Sequence, residues 1–149
     1  MLEILIECSG SEIISFISKC SNMPLWTGHQ TICKKLDGSY QEIRLNLTMN
    51  VSIKVNPLSH NTTELNFVWT SEYYNYSVPL FVENLEDNLS KVYFDKVADP
   101  KLKEVLGAEL RFLKSIIEKK FYDNMEQDRL LINNHHLSLY SKPLPEQSP

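Results

Sequence analysis

The sequence predicts an α+β domain in which a curved antiparallel sheet of about seven strands packs against one long helix near the C-terminus. Two patterns predict this class. Apolar residues alternate with polar ones through most of residues 29–98, and they recur at helical spacing from Asp99 to about Tyr122. A period of two is typical of a strand with one buried face, and a period of 3.6 of a helix with one buried face. The predicted order of elements is β-α-β6-α.

A strand and a short helix are predicted at the start of the chain. Apolar and acidic residues alternate over residues 2–7, which indicates a strand. Ser9 followed by Glu12 fits a capping box, in which each side chain caps the other residue's backbone N–H. The apolar spacing that follows predicts a helix over residues 10–21. Pro24 then marks a loop.

The middle of the chain reads as consecutive strands joined by turns. Asp37-Gly38 is a strong hairpin signal. Further alternating runs begin at Ile43, Val51, Leu65, Tyr74 and Ser90. Pro79 lies inside one run, and proline cannot donate to a ladder. This strand is therefore predicted to lie at an edge or to carry a bulge.

The long helix is predicted from its cap and from its apolar face. Asp99 suits the N-cap, and Pro100 suits the first helical position. The pattern weakens after residue 123. We therefore expect one domain over residues 1–123, followed by a C-terminal extension over residues 124–149 that is either partly docked or mobile.

Glu109 interrupts the apolar face of the long helix. A turn of about 100° per residue places it at the centre of the stripe, between Leu106 and Leu113. Burying a carboxylate is costly unless it is paired. Either Glu109 meets a polar group of a ligand or moves protons with a raised pKa, or it pairs with a sheet side chain or reaches solvent.

A pocket between helix and sheet would be lined by apolar and aromatic side chains. Aromatic residues with a polar group suit a mixed pocket, although plain core packing is the simpler explanation for any one of them. The candidates are Trp26, Leu45, Phe67, Trp69, Tyr76, Leu106, Glu109 and Leu113.

Composition argues against several other functions. The net charge of −4, with no dense basic patch, disfavours nucleic-acid binding. No run approaches the ~20 apolar residues of a membrane span. The three widely spaced cysteines are expected to be reduced thiols, and no spacing suggests a metal site, a cofactor loop or a catalytic motif. With no secretory signal in view, a cytoplasmic location is expected.

The element order, together with the turn Met23-Pro24-Leu25-Trp26-Thr27-Gly28, resembles the helix-grip, or START-like (SRPBCC), superfamily. This superfamily includes polyketide cyclases and aromatases, lipid-transfer domains and pollen-allergen-like carriers. The resemblance covers residues 2 to about 123. It implies a cavity between the long helix and the concave sheet that holds a small hydrophobic or lipid-like molecule.

The resulting prediction is non-catalytic binding of a small hydrophobic or amphipathic ligand, with no cofactor. Two alternatives stay open. One is a cyclase/aromatase-type enzyme that uses Glu109 as acid or base. The other is a regulatory domain that binds other proteins, and a homodimer is left open as well.

Overall fold

The computed structural model describes residues 2–27, 30–33, 39–44, 47–70 and 75–141. Within them the elements are β1 (Leu2–Ile6), α1 (Gly10–Ser18), a 3-10 turn (Cys20–Asn22), α2 (Met23–Thr27), β2 (Gln30–Cys33), β3 (Ser39–Arg44), β4 (Leu47–Pro57), β5 (Thr62–Thr70), β6 (Asn75–Glu86), β7 (Leu89–Phe94), α3 (Pro100–Glu118) and α4 (Met125–Ser141).

The strands form one open antiparallel sheet in the order β1-β7-β6-β5-β4-β3-β2. The predicted α+β class with an antiparallel sheet is therefore confirmed. Each strand from β2 to β7 pairs with the next along the chain, as expected for strands joined by turns. The first strand instead joins the far edge, where Leu2 pairs with Phe94 and Ile6 with Ser90.

Pro79 lies in an interior strand, so the prediction of an edge strand is wrong. On one side Pro79 pairs with Asn66 of β5, whereas the pairing of β6 with β7 begins only at Phe81. No ladder bond to β7 is therefore required at Pro79. The irregularity in β6 lies further along, between Asn84 and Glu86.

The buried face of the sheet follows from its register. Opposite residues of antiparallel strands share a face, and Leu65 pairs with Leu80, as Val82 does with Val92. All four are at most 1% exposed. They form one core with the buried residues of α1 and α3.

The first helix is shorter than residues 10–21. Ser9 caps α1 as predicted, because its Oγ accepts from the N–H of Glu12 at 3.3 Å. The helix ends at Ser18, since Lys19 adopts an extended conformation. The loop expected around Pro24 contains the short helix α2.

The prediction that the long helix runs to Tyr122 is wrong. Asp99 caps α3 as expected, with its Oδ1 3.0 Å from the N–H of Lys101, but the helix ends at Glu118. Lys119 is left-handed, with φ of 56°. Its N–H bonds to the Ile116 carbonyl and that of Lys120 to the Ser115 carbonyl. This is a Schellman motif, which closes a helix.

The predicted order β-α-β6-α also omits α4, so α3 is not the last helix. Asp128 and Ile132 of α4 are buried, and α4 packs against α3. The segment was not recognised as helical because Asp128, one of the buried residues in its described part, is charged, which breaks the apolar pattern. The division of the chain at residue 123 stays a prediction.

The expectation of three reduced thiols is wrong for Cys20, which is disulfide-bonded. Cys8 is free. Sequence spacing was misleading because a disulfide needs two cysteines that are close in the fold, whatever their separation along the chain. Disulfides are more typical of oxidising compartments than of the cytosol, and the cytoplasmic location stays a prediction.

Candidate functional site

Glu109 lies within the buried face of α3. It is 8% exposed, and its neighbours along the helix face, Leu106 and Leu113, are 9% and 0% exposed. Because carboxylates are rarely buried without compensation, this position is the least expected in the apolar face. Glu109 also makes an interaction with another group of the protein.

The other predicted site residues are distributed over the sheet and α2. Phe67 of β5 is 3% exposed and is paired in register with Ile53 and Val78. In the same ladder, Trp69 is the register partner of Tyr76. Leu45 lies outside the described residues.

Helix α3 lies close to one edge of the sheet. It contacts β1, the strand at that edge. At the other end of the sheet, α2 contacts both α3 and β2. The short helix therefore joins the long helix to the strand furthest from β1.

Trp26 does not line the helix–sheet face but an open depression between α2, α3 and α4. The volume of this depression is about 160 Å³. Its lining residues are Pro24, Leu25, Trp26, Phe112, Arg129, Ile132 and Asn133. Trp26 is 3% exposed. In the part of the chain that the structure describes, its indole Nε1 has no hydrogen-bond partner, although buried indole N–H groups usually find one.

A polar cluster that the sequence did not indicate joins α4 to α3. Arg111 donates two hydrogen bonds to the Asp128 carboxylate, at 2.7 and 2.8 Å, and the Tyr122 hydroxyl donates a third at 2.7 Å. Burial raises the pKa of Asp128, but the bonds from Arg111 and Tyr122 outweigh it, so the pKa lies below its ordinary value. The reciprocal effect raises the pKa of Arg111.

A second carboxylate ties α3 to β1. Glu118 accepts hydrogen bonds from the backbone N–H of Glu7 at 2.8 Å and from Lys114 Nζ at 2.7 Å. Burial opposes ionisation, but these bonds hold the pKa of Glu118 below its ordinary value. We therefore assign Glu118 and Asp128 a structural role, since each holds two elements of the fold together.

Cys8 has the character of an inert thiol. Burial raises its pKa to about 11, and the neighbouring Glu12 carboxylate adds to the effect. Thiolate is the nucleophilic form of cysteine, so Cys8 is not set up for nucleophilic chemistry. Among the described residues, no group of three or more metal-ligating side chains comes together.

No family profile matches the chain, and no curated protein matches it in sequence. Among solved structures, the chain is similar to the Aha1 dimer from Colwellia psychrerythraea, with a TM-score of 0.56 and 10% identity over 78% of this chain and 92% of that one. The fold of this chain is therefore similar to a helix-grip fold. At this identity the likeness extends to the fold alone.

Two further solved structures are similar at lower TM-scores. CalU16 from Micromonospora echinospora has a TM-score of 0.48 and 12% identity over 94% of this chain and 86% of that one. The protein EF2215 from Enterococcus faecalis has a TM-score of 0.46 and 14% identity over 92% and 81%. Within the described part of the chain, no helix has the length and apolar character needed to cross a bilayer.

Proposed function

We propose that this chain binds a small hydrophobic or amphipathic molecule between α3 and the concave face of the sheet, without catalysing a reaction. The observation that supports it most directly is the burial of Glu109, at 8% exposure, within the apolar face of α3. A buried carboxylate in a core of this size is a candidate functional group, because its desolvation has to be offset.

Two neighbouring buried residues of α3 keep slight exposure where the ligand would lie. Leu106 and Glu109, three residues apart and thus neighbours on the helix surface, keep 9% and 8% of their exposure, whereas Leu113 keeps none. Leu102, on the same stripe, is half-buried. A ligand at this point of the helix face would contact Leu106 and Glu109 together.

The surrounding elements suit an enclosed site. The sheet runs from β1, which lies against α3, to β2, which α2 contacts from the other side. Phe67 of β5 lies in the middle of this sheet and is 3% exposed. Its ring would supply apolar surface opposite the helix, as most small-molecule pockets require. Trp69, Tyr76 and Leu45 are proposed as further wall residues.

The carboxylate indicates the polar group of the ligand. The carboxyl oxygens of Glu109 accept hydrogen bonds, so the ligand is expected to carry a hydroxyl or N–H donor on an apolar body. A hydrogen bond to a charged group contributes roughly 1.5–3 kcal/mol. This is enough to change affinity about tenfold or more.

The first test is binding of N-phenyl-1-naphthylamine, a neutral apolar fluorophore with one N–H donor. We expect saturable binding of one molecule per chain. Glu109→Leu should weaken it about tenfold because the acceptor is lost, whereas Glu109→Gln, which keeps an acceptor oxygen, should weaken it less.

The matched control is Glu104→Leu, which changes the same residue type at an exposed position of α3. It should leave binding unchanged. If Glu109→Leu raises thermal stability and binds the fluorophore as the wild type does, Glu109 has no part in a pocket and the proposal fails. Native mass spectrometry of the purified chain would show whether a cellular ligand is retained.

The alternatives use the same fold differently. A cyclase-type enzyme would use Glu109 to move protons, and a regulatory domain would bind another protein. The similar Aha1 structure is a dimer, which is compatible with a homodimer of this chain. Light scattering after size exclusion would test that state.

A further inference from the structure

The depression between α2, α3 and α4 is separate from the proposed helix–sheet site. Its lining includes the apolar or aromatic side chains of Leu25, Trp26, Phe112 and Ile132 together with Arg129. The volume is about 160 Å³. It suits a single ring with a short polar substituent rather than a lipid chain.

The indole of Trp26 provides an unused donor at this depression. Its Nε1 is buried and has no hydrogen-bond partner within the described ranges of the chain. Leaving such a group unpaired costs roughly 1–3 kcal/mol, and an acceptor from a ligand would recover much of that cost. Since Nε1 is covered, the acceptor reaches it only after a small shift of the indole or of a lining side chain. Leu25, at 56% exposure, is not held by tight packing.

Arg129 provides a positive charge at the depression. Its guanidinium stands 5.8 Å from the centre of the Phe112 ring, in cation–π range. Within the described part of the chain Arg129 makes no ion pair, whereas the neighbouring Asp128 is fully occupied by Arg111 and Tyr122. The guanidinium is thus positioned over the depression with its N–H donors available to an anion.

We propose that this depression is a second binding site, for a small aromatic carboxylate. The ring packs on Leu25 and Ile132, the carboxylate pairs with Arg129, and an acceptor oxygen of the same molecule receives the Trp26 N–H. Two independent features favour a carboxylate over a neutral apolar ligand: among the described residues, the indole donor has no hydrogen-bond partner and the guanidinium has no ion pair. The inference does not depend on the site at Glu109.

The test is a titration of the ¹⁵N-labelled protein with phenylacetate, followed by nuclear magnetic resonance. The chain has two tryptophans and hence two indole N–H signals. The signal that disappears in Trp26→Phe is that of Trp26. We expect saturable movement of the Trp26 signal. Arg129→Gln should weaken phenylacetate about tenfold, since one charge-assisted contact is lost, while the neutral methyl ester should bind both proteins equally weakly.

Lys101→Gln is the matched control, because it also removes one positive charge from an exposed helix position. It should leave the affinity unchanged. A Trp26 signal that does not move, or equal weakening by Lys101→Gln and Arg129→Gln, would overturn the proposal. Phenylacetate should also leave bound N-phenyl-1-naphthylamine in place, so that failure at one site is distinguished from failure at the other.

Discussion

Asp128 is the residue on which the attachment of α4 to α3 depends most. Its side chain is 8% exposed and accepts bonds from both Arg111 and Tyr122. We expect Asp128→Asn to lower the free energy of unfolding by about 2 kcal/mol at neutral pH, the range for hydrogen bonds to a charged group. The full cost of breaking a buried pair is not expected, because the Arg111 side chain is 45% exposed. Denaturant unfolding measures the change.

The effect of Asp128→Asn should depend on pH. The folded-state pKa of Asp128 lies below its ordinary value of 3.8, so ionised Asp128 stabilises the fold at all pH values above 3.8. That contribution is lost as the pH falls through the folded-state pKa. The free energies of unfolding of the wild type and of Asp128→Asn should therefore converge in acid. Glu83→Gln, which breaks the surface pair with Lys91, should cost under ~1 kcal/mol; an equal cost would contradict the role given to Asp128.

Residue-level prediction succeeded for the caps Ser9 and Asp99 and for the buried position of Glu109, whose role in a site stays a prediction. Glu109 could be identified because it interrupts an apolar stripe, and the structure places it in the buried face of α3. Asp128 could not, because nothing in its local sequence indicates that Arg111 and Tyr122 lie beside it. The same holds for Trp26, whose unpaired N–H depends on how α2, α3 and α4 pack.

At the scale of the element, the end of α3 is set by backbone conformation. Lys119 adopts φ of 56°, which costs an L-residue roughly 1–2 kcal/mol relative to glycine. We expect Lys119→Gly to raise the free energy of unfolding by about 1 kcal/mol, after allowing for the greater entropy of glycine in the unfolded chain. Thermal or denaturant unfolding measures it.

Lys119→Ala separates the backbone effect from loss of the lysine side chain. Alanine is disfavoured at positive φ just as lysine is. The stability of Lys119→Ala should therefore match that of the wild type. Equal gains from alanine and glycine would mean that the lysine side chain, not the left-handed backbone, is unfavourable. The end at Glu118 was not predictable because residues 119–122 contain no glycine, proline or asparagine.

For the whole molecule, the periodic parts of the sequence were the predictable ones. The antiparallel sheet and the buried face of α3 follow from alternation and helical spacing, which report burial directly. The disulfide at Cys20 and the docking of α4 depend on contacts between distant segments, and spacing along the chain carries no information about those. The depression at Trp26 was therefore not predictable from the sequence, since α4 forms one of its walls.

The division at residue 123 can be tested on the whole chain. Removing residues 124–149 deletes Asp128 and Ile132, which are 6% and 3% exposed, and leaves Arg111 and Phe112 without α4. Loss of one buried isoleucine, at roughly 1.5–3 kcal/mol, and of the carboxylate cluster should lower Tm by about 10 °C. A chain ending at Ser141 is the control, because residues 142–149 contain three prolines and a single large apolar residue. If calorimetry gives both truncated chains the same Tm as the full-length protein, α4 is a dispensable extension and residues 1–123 are the folding unit.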